Sequence, residues 1–445
     1  MTCLWQKVRL GEGKLIGRGR TIALGDILVR DWPIPLAEKL RGSTVLVDCA
    51  SALSAALALV HLDGLAQRVV LAPQGSSTEQ LLHAAASAHA TAVVTDKQDG
   101  AALSQLTKIS VTESMAASPA AAKRDRKTEW VLFTSGSTGL PKLVVHTLET
   151  LIARIVPGDD ACWGTFYDIR RYGGLVILLR ALLSGASLVV AEPGEPVDSY
   201  LARVQGAGCR RLTGTPSHWR RAMMSPVFAQ MDLDYVRLSG EIADQAILDK
   251  LRNRLPDAKI VHAFASTEAG LAFEVNDGKE GFPDSVLQSK SADFEIKVAN
   301  GTLRLRSPGA ALEVLGGGPV RDLQGFVDTN DVVRFDNGRF YFEGRRDQVI
   351  NVGGDKFYPE EIEAILNRHP NVRISRVRGR KNPVLGALSE AEVVLGADGI
   401  EARHVLDELT ALCAAALPQH KRPVAIRVVE TLPVSQSGKL DRLHA

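Results

Sequence analysis

The feature that most constrains the fold is a regular alternation of short apolar runs and helical segments over residues 44–96. The sequence predicts strands at 44–49, 68–73 and 91–96, separated by helices at 51–62 and 77–90. Short, almost wholly apolar strands are typical of a parallel sheet that is buried on both faces. Ser51 is a suitable N-cap for the first helix. We therefore expect an α/β protein whose parallel sheets are covered by helices.

The alternation resumes over residues 129–275 and then gives way to short strands and turns at 293–343. The apolar stretch 175–191 is interrupted by Arg180 and a Ser-Gly pair, so it is interpreted as a buried helix followed by a strand and not as a membrane span. Asn-Gly pairs at 300–301 and 337–338 lie between alternating apolar residues and predict hairpin turns.

A second, smaller domain is expected after these hairpins. Pro359 suits the first position of a helix, and the acidic residues that follow it suit the positive end of the helix dipole. The predicted organisation is a large N-terminal domain, 1–346, which binds ATP and the acid and contains a small β-rich part, followed by a mobile α+β C-terminal domain, 347–445.

Composition excludes several classes of protein. The chain has 445 residues, a net charge of +2 and 45% hydrophobic residues, which is ordinary for a globular protein and unlike a polyanion binder. We therefore expect no nucleic-acid partner and no membrane span. The five cysteines include no C-x-x-C pair, so they indicate neither a zinc site nor a disulfide framework, and they favour a reducing, cytoplasmic setting.

The segment 131–147, VLFTSGSTGLPKLVVHT, is the most informative one for function. Its glycines allow a backbone to approach an anion closely, its hydroxyl groups are donors, and Lys142 adds a cation. The spacing fits neither a Walker A loop nor a nucleophile elbow. The predicted phosphate-binding residues are Thr134, Ser135, Gly136, Ser137, Thr138, Gly139 and Lys142.

This loop resembles the phosphate-binding signature of the adenylate-forming, AMP-binding superfamily, which includes acyl-CoA synthetases, adenylation domains of peptide synthetases, and luciferases. Further segments similar to that family's motifs follow in the family's order. They are SGEI (239–242), FASTE (264–268), TND (329–331), GRRDQVI (344–350) and PVSQSGK (433–439). The resemblance covers roughly residues 130–442, and the first motif lies earlier than is usual, which implies a shortened first subdomain.

The resemblance implies a role for each motif residue. Glu268 would reach Mg²⁺, Thr267 would contact phosphate, and Lys439 would be the adenylation lysine. Oxygen ligands such as a glutamate carboxylate suit Mg²⁺. Residues implied to hold ATP or AMP, besides the loop, are Gly240, Glu241, Phe264 (stacked on adenine), Ala265, Ser266, Asp331 (on the ribose hydroxyls) and Arg345.

The family's two half-reactions imply a moving C-terminal domain. Asp347 aligns with the hinge residue, and Gly353 and Gly354 would form part of the tunnel for the thiol. Rotation about the hinge would withdraw Lys439 after adenylation and admit the thiol.

The acid pocket is expected near Tyr167, Asp168 and Tyr172. Asp168 resembles the residue that pairs with a substrate ammonium in amino-acid-activating domains, but Arg170 and Arg171 follow it, so an ion pair with them is an alternative. The aromatic side chains favour a flat or aromatic acid over a long aliphatic chain.

The predicted function is ATP-dependent conversion of a small carboxylic acid to an acyl-AMP, followed by transfer to a thiol. The acceptor is expected to be CoA, with the phosphopantetheine of a separate acyl carrier protein as the alternative. A non-catalytic nucleotide-binding homologue and a luciferase-like oxygenase are further alternatives, which acid-dependent ATP–pyrophosphate exchange would distinguish.

Overall fold

The computed structural model describes residues 3–9, 11–98, 103–111, 116–117, 122–134, 140–158, 160–383, 386–396, 401–433 and 439–440. Within these ranges the helices are α1 (Leu4–Lys7), α2 (Leu24–Val29), α3 (Ile34–Leu40), α4 (Ala52–Leu62), α5 (Thr78–Ala88), α6 (Leu148–Ile152), α7 (Tyr172–Ser184), α8 (Val197–Gly206), α9 (Pro216–Ala222), α10 (Gln245–Arg254), α11 (Pro359–Leu366) and α12 (Ala402–Ala416). Short 3-10 helices lie at Phe228–Gln230, Asp284–Gln288, Arg346–Gln348 and Gln419–Lys421.

The strands of the same ranges are β1 (Lys14–Gly17), β2 (Arg20–Ala23), β3 (Arg30–Asp31), β4 (Thr44–Val47), β5 (Arg68–Leu71), β6 (Ala92–Thr95), β7 (Thr107–Ser110), β8 (Ala116–Ala117), β9 (Glu129–Thr134), β10 (Lys142–Thr147), β11 (Trp163–Thr165), β12 (Leu188–Val190), β13 (Arg211–Gly214), β14 (Tyr235–Ser239), β15 (Lys259–Ser266), β16 (Gly270–Val275), β17 (Phe282–Pro283), β18 (Glu295–Ala299), β19 (Thr302–Arg306), β20 (Glu313–Val314), β21 (Gly318–Pro319), β22 (Val327–Asp336), β23 (Arg339–Arg345), β24 (Ile350–Val352), β25 (Asp355–Phe357), β26 (Val372–Asn382), β27 (Gly386–Leu395) and β28 (Ala425–Val428).

Two eight-stranded sheets form most of the chain before residue 320, and β3 pairs with β8 as a small separate ribbon. The first sheet has the order β21-β20-β10-β9-β5-β4-β6-β7, and the strands from β9 to β7 are parallel. The predicted parallel sheet is therefore confirmed. Its first crossover helix, α4, begins after Ser51, whose side chain accepts a hydrogen bond from the Leu53 N–H at 3.1 Å.

The second sheet has the order β16-β15-β14-β13-β11-β12-β1-β2, and its six central strands, β15 to β1, are parallel. Helices α4 and α7 lie between the two sheets, because their side chains share one apolar cluster with strands of both. The stretch 175–191 forms the greater part of buried α7 and then β12, as predicted. Among the described residues, no helix combines the length and apolar character needed to cross a membrane.

The predicted hairpins form a five-stranded antiparallel sheet in the order β17-β23-β22-β19-β18. Its two tight turns are the predicted Asn-Gly pairs, with φ values of 53° and 74° at 300–301 and of 49° and 76° at 337–338. Positive φ at both central residues is what a type I′ hairpin turn requires, and Asn and Gly adopt it at low cost. This part of the sequence analysis is confirmed.

The C-terminal segment has a sheet of its own, in which β25, β24, β27 and β26 are adjacent and β28 pairs with β27. Helix α11 begins at the predicted Pro359 and packs with α12 on this sheet in a separate apolar cluster. The chain passes from the third sheet to this one between Arg345 and Ile350. The division into two domains at 346/347, and the shortened first subdomain, stay predictions.

The cysteine spacing did not indicate a disulfide, and the structure corrects this. Cys162 and Cys209 are paired as a disulfide, with their Cα atoms 4.8 Å apart. Cys162 directly precedes β11 and Cys209 lies just before β13, and these strands are parallel neighbours. The sequence could not reveal the pair, because adjacency in a parallel sheet joins residues that are 47 positions apart.

Candidate active site

The centre of the site lies at the carboxyl end of β14, where the strand runs into Gly240. This glycine has φ of +86°, and a Cβ atom placed on it would lie 3.3 Å from Cε and 3.7 Å from Nζ of Lys439. A side chain at position 240 would therefore be strained and would press on the lysine. The structure thus brings two predicted motifs that lie far apart in the sequence next to each other.

The charges around Lys439 come from several parts of the chain. The carboxylates of Glu241 and Asp331 attract its ammonium, and the guanidinium groups of Arg171 and Arg345 repel it. Desolvation lowers the pKa of Lys439 below its usual value, and the two carboxylates oppose this shift. The side chain of Lys439 is nevertheless exposed to solvent. A cation in such surroundings is placed to stabilise negative charge on a ligand.

Glu241 binds the backbone of the residue that follows Lys439. Its Oε1 accepts a hydrogen bond from the Leu440 N–H at 3.0 Å, and its Oε2 accepts one from the Ser217 N–H at 2.9 Å. The Ser217 hydroxyl also lies 3.0 Å from Oε1. Glu241 therefore links the first turn of α9 to the residue that follows Lys439. Its predicted position beside adenine stays a prediction.

Asp331 and Arg345 form the second part of the site. They lie directly opposite each other in the register of β22 and β23. Burial raises the pKa of Asp331 to about 6, against the opposing effect of the Arg345 and Lys439 cations. Asn330, which precedes the aspartate, has φ of +62°, so it adopts the left-handed conformation expected of a residue that replaces glycine.

The predicted hinge residue is tied to the predicted ribose contact. Arg345 donates from Nε and Nη2 to the two carboxylate oxygens of Asp347, at 3.1 and 3.2 Å. Its Nη1 donates to the Thr329 carbonyl oxygen at 3.4 Å. The ammonium of Lys142 also acts on Asp347 and helps to lower its pKa. Residues from three predicted motifs therefore share one electrostatic environment.

Thr267 and Glu268 follow β15, and their backbone is fixed by groups outside their own motif. The buried His146 places Nε2 2.7 Å from the Thr267 carbonyl oxygen and Nδ1 3.0 Å from the Thr150 hydroxyl. Burial lowers the pKa of His146 to about 4, so it is neutral and Nε2–H donates to Thr267. The Ala311 N–H donates to the Glu268 carbonyl oxygen at 2.9 Å. Sequence analysis missed His146, whose only signal is a histidine within an apolar strand.

The other members of the FASTE motif are half-buried along the edge of the site. The ring of Phe264 stacks on those of Phe342 and Phe273, with centroids 5.2 and 5.7 Å away. The Glu268 carboxylate acts electrostatically on Arg345. No described residue donates a hydrogen bond to this carboxylate. Stacking of Phe264 on adenine stays a prediction, as do roles for Ala265 and Ser266.

The predicted phosphate loop is described only at its base. Thr134 and Lys142 lie opposite each other where β9 and β10 pair, while Ser135, Gly136, Ser137, Thr138 and Gly139 lie outside the described residues. The Thr134 hydroxyl is buried and has no hydrogen-bond partner in the described part of the chain. Gly353 and Gly354 form the exposed turn between β24 and β25. Their predicted roles are untested.

The two tyrosines predicted to line the acid pocket lie close to this centre. The Tyr167 hydroxyl accepts from the Ser239 N–H at 3.1 Å and lies 3.0 Å from the Ser239 carbonyl oxygen. Burial raises the pKa of Tyr167 to about 12, so the phenol is neutral. Tyr172 begins α7, and its ring centroid lies 5.6 Å from that of His146. Tyr167 therefore contacts the residue before Gly240, and Tyr172 packs beside the histidine that holds the Thr267 backbone.

Asp168 is occupied by protein partners. Its Oδ1 accepts from the Arg170 Nε–H at 2.6 Å and from the Arg170 N–H at 3.0 Å, and its Oδ2 accepts from the Gln74 N–H at 3.1 Å. The ion-pair alternative therefore describes this aspartate, and the pair is buried because Arg170 is 2% exposed. A direct role for Asp168 in binding the acid stays a prediction.

Sequence analysis also missed an arginine beside the two tyrosines. Arg237 lies in β14, two residues before Ser239, and its charge acts on the hydroxyls of both Tyr167 and Tyr172. It is 8% exposed, and its Nε has no hydrogen-bond partner among the described residues. An arginine inside the apolar strand YVRLS was a signal that could have identified it.

Comparison with protein families decides the identity of the chain. A model described as AMP-binding enzyme matches residues 44–319, and one described as AMP-binding enzyme C-terminal domain matches residues 361–439. The chain belongs to the AMP-binding enzyme family. The predicted class, an AMP-forming acid–thiol ligase, is confirmed, as is the predicted activity of ATP-dependent acid activation followed by transfer to a thiol.

Individual relatives agree with this assignment. A 2-succinylbenzoate–CoA ligase from Listeria monocytogenes is 26% identical over 328 residues, which are 70% of this chain and 68% of the relative. The o-succinylbenzoate-CoA synthetase of Bacillus subtilis, solved with its acyl-adenylate intermediate, is 20% identical with a TM-score of 0.76 over 99% of this chain and 97% of that one. An anthranilate-CoA ligase bound to anthranoyl-AMP is 17% identical with a TM-score of 0.79, over 99% and 95%. The fold class expected from the sequence is confirmed.

Proposed function

We propose that the chain adenylates a compact carboxylic acid at the carboxyl end of β14 and passes the acyl group to CoA. The observation that carries this proposal is the contact of Lys439 with Gly240, beside the paired Asp331 and Arg345. In the first step a carboxylate oxygen bonds to the α-phosphorus of ATP, and the bond to the pyrophosphate oxygen breaks. In the second the sulfur of CoA, having lost its proton, bonds to the acyl carbon, and AMP leaves.

Lys439 is proposed to act in the first step only. Negative charge concentrates on the α-phosphate oxygens as pyrophosphate leaves, and a pre-positioned cation stabilises it more than it stabilises the reactants. Glu241 helps to hold the lysine in place, because it accepts a hydrogen bond from the Leu440 N–H. A separate contact has Asp244 accepting a hydrogen bond from the Asn367 side-chain amide at 3.3 Å. Both contacts join the segments on either side of the predicted hinge.

The nucleotide would be recognised by groups on the third sheet. The Asp331 carboxylate can accept two hydrogen bonds from the vicinal hydroxyls of ribose, and Arg345 lies opposite it as a donor. The ring of Phe264, half-buried on β15 of the second sheet, would contact adenine. Thr134 and Thr267 would contact phosphate, together with Lys142.

The donor set also fits Mg²⁺. Glu268 presents a carboxylate to which no described residue donates a hydrogen bond, and its backbone is anchored on both sides through Thr267 and Ala311. A hard cation prefers such an oxygen ligand and completes its coordination with phosphate oxygens and water. When bound, Mg²⁺ would neutralise part of the triphosphate charge. Glu268 is the residue proposed to hold it.

The second step needs an opening through which the thiol can reach the acyl carbon. We propose rotation about Asp347, which would remove Lys439 and bring the exposed Gly353–Gly354 turn towards the site. This rotation would break the ion pair between Asp347 and Arg345 or replace it by another, because both residues lie where the chain passes from the third sheet to the C-terminal sheet.

We propose a compact acid because aromatic side chains pack closely around Tyr167. Tyr167 is held at its hydroxyl by Ser239, and His218 packs edge-on against it with ring centroids 6.1 Å apart. Phe166 stacks on the far side of that histidine at 5.2 Å. We expect an aryl group to pack on these rings better than a long, flexible alkyl chain does. Relatives named for 2-succinylbenzoate and anthranilate support an aromatic acid.

The deciding experiment is ATP–pyrophosphate exchange over a panel of aryl, short aliphatic and amino acids, without any thiol. We expect exchange with aryl acids. Adding CoA should then release AMP and form the thioester, whereas product formation only with a phosphopantetheine-loaded carrier protein would assign the alternative acceptor. Absence of exchange with every acid, in protein that binds ATP, would contradict the proposal.

A further inference from the structure

The stretch that follows β14 carries two carboxylates that bind the C-terminal segment. Glu241 accepts a hydrogen bond from the Leu440 N–H at 3.0 Å, and Asp244, three residues further along, accepts one from the Asn367 side-chain amide at 3.3 Å. Leu440 follows Lys439, whereas Asn367 lies at the C-cap of α11. One short stretch of the N-terminal part of the chain therefore holds the C-terminal segment at two points that are far apart in sequence.

Helix α9 supports both carboxylates. The N–H and the hydroxyl of Ser217 bond to Glu241, and Arg220 Nη2 lies 2.5 Å from Asp244 Oδ2. Ser217 and Arg220 are three residues apart in α9, so they lie on one face of the helix. Asp244 also accepts a hydrogen bond from the Ile247 N–H at 3.0 Å and thereby caps α10. The orientation of the Asp244 carboxylate is therefore set within the N-terminal part of the chain.

Asn367 is oriented just as firmly on the other side of the contact. The Ser375 hydroxyl, in β26, donates to Asn367 Oδ1 at 3.0 Å, so the amide nitrogen is the atom that faces Asp244. Asp244, Arg220, Asn367 and Ser375 are all buried. A connected set of buried polar groups favours the one arrangement in which its members are paired. Separation of the two parts of the chain would expose this set and break its central hydrogen bond.

Helix α10 adds a third contact. Lys250 Nζ donates to the carbonyl oxygen of Val372, the first residue of β26, at 3.1 Å. The Lys250 ammonium is partly buried, and the charges of Arg220 and Asp244 both act on it. Helix α9 also lies beside β26. These contacts form one interface beside the site, and Asp244, Lys250 and Val372 lie outside every motif recognised in the sequence.

We propose that Asp244 and Asn367 form a latch that holds the C-terminal segment in the adenylation arrangement, with Lys439 at Gly240. The inference rests on the proposed function, since it assumes that the C-terminal segment leaves this position before the thioester step. Asp244 and Asn367 are positioning residues, which act on the reaction through the population of the arrangement in which the lysine is in place. Weakening the latch therefore slows adenylation and spares thioester formation.

The main variant is Asn367→Asp, which replaces the amide donor by a second carboxylate next to that of Asp244. Two carboxylates at this distance repel each other, so the adenylation arrangement becomes less populated. We expect acid-dependent ATP–pyrophosphate exchange to fall roughly 10- to 100-fold, the usual effect of losing a hydrogen bond to a charged group. The thioester step, started from synthetic acyl-AMP and CoA, should be unchanged or faster.

Asn367→Ala is the milder variant, because it removes the donor without adding a charge. It should lower pyrophosphate exchange by about 3- to 10-fold and again spare the thioester step. It takes the place of Asn367→Asp if the charged variant does not fold.

Exchanging the two side chains is a stricter test of the contact. Asp244→Asn in the Asn367→Asp background again places one amide opposite one carboxylate, and the new amide can still cap α10. The double variant keeps a carboxylate beside the buried Arg220, which Asp244→Asn alone would remove. Pyrophosphate exchange should return to within about threefold of the wild type. A role in folding alone predicts no such recovery.

Ala402→Glu is the matched control for the added charge. It places a carboxylate on the C-terminal segment at the exposed first residue of α12, where the helix dipole favours it. Both half-reactions should stay at the wild-type rate in this variant. The melting temperature of each protein separates a folding defect from a change in the reaction. Equal losses in both half-reactions of folded Asn367→Asp, an unchanged pyrophosphate exchange, or failure of the double variant to recover would overturn the inference.

A measurement without catalysis separates the latch from the proposed function. The Leu440 N–H is bonded to Glu241 only while the C-terminal segment is in place, so its uptake of deuterium, followed by mass spectrometry, reports that arrangement. Asn367→Asp should speed this uptake, and the double variant should slow it again. Faster uptake in Asn367→Asp, with a wild type that activates no acid, would refute the proposed function alone. Unaltered uptake in the variant of an active enzyme would refute only the latch.

Discussion

The nucleotide end of the site and its acid end differ in how their residues are held. At the nucleotide end, Asp331 and Arg345 face each other across one hairpin, and Lys439 rests on a glycine that has no side chain to exclude it. At the acid end, Asp168 is occupied by Arg170, while the unpredicted Arg237 comes from the middle of a strand. The residues at the nucleotide end lie in recognisable motifs, whereas those at the acid end are core positions that carry a charge.

The largest effect is expected from Lys439→Ala. Removing a donor aimed at transition-state charge costs roughly 10²–10³ in rate, so acid-dependent exchange should fall by about that factor. The thioester step, started from synthetic acyl-AMP and CoA, should be nearly unchanged, and Asp347→Pro should show the opposite pattern. Equal losses in both half-reactions would contradict a lysine that acts only in adenylation.

Glu268→Gln is expected to raise the Mg²⁺ concentration needed for half-maximal exchange on the order of 10- to 100-fold, because a charged oxygen ligand becomes neutral. Titration of exchange with MgCl₂ at fixed ATP measures this directly. His146→Gln is the matched comparison, since it loosens the backbone of Thr267 without removing the ligand and should shift the titration less. A wild-type Mg²⁺ requirement in Glu268→Gln would assign the metal to other residues.

Gly240→Ala tests whether the close approach of Lys439 matters. The new Cβ would lie 3.3 Å from Cε of the lysine, at a residue with φ of +86°, so we expect about a tenfold loss of exchange. Gly301 has a similar φ of +74°, and a Cβ atom placed on it would have no atom within 4 Å. Gly301→Ala is therefore the control for backbone strain. Both variants should lose comparable stability on thermal melting. Equal loss of exchange in both would mean that strain alone is responsible.

A smaller effect follows from the pKa of Asp331, which burial raises to about 6. Below that pH the carboxyl is protonated and accepts ribose hydroxyls less well, so kcat/KM for ATP should fall several-fold as the pH drops through about 6. Asp331→Asn should remove this acid limb. Because the folded state holds the proton more tightly than the unfolded one, stability from this group is lost as pH rises through about 6. The variant should therefore melt higher than wild type at pH 8.

The smallest effect is expected from Asp168→Ala at the acid end. Its ion pair with Arg170 predicts a loss of stability and little change in which acids are activated. The measurement is ATP–pyrophosphate exchange over the acid panel for the variant and the wild type. The melting temperature of each protein shows how much of any loss is due to stability. A selective loss of acids that carry an ammonium group would restore Asp168 to the predicted pocket role.

The sequence by itself determined the class of fold and most of the nucleotide end. Periodicity predicted the parallel strands, Asn-Gly pairs predicted the hairpins, and the order of motifs indicated the family, because backbone turns and phosphate contacts demand particular residues at fixed local spacing. Tertiary structure decided the rest. Pairing across parallel strands joined Cys162 to Cys209, a buried ion pair engaged Asp168, and strand packing placed His146 behind Thr267. These contacts depend on which strands become neighbours, and no local pattern encodes the partner of a buried charge.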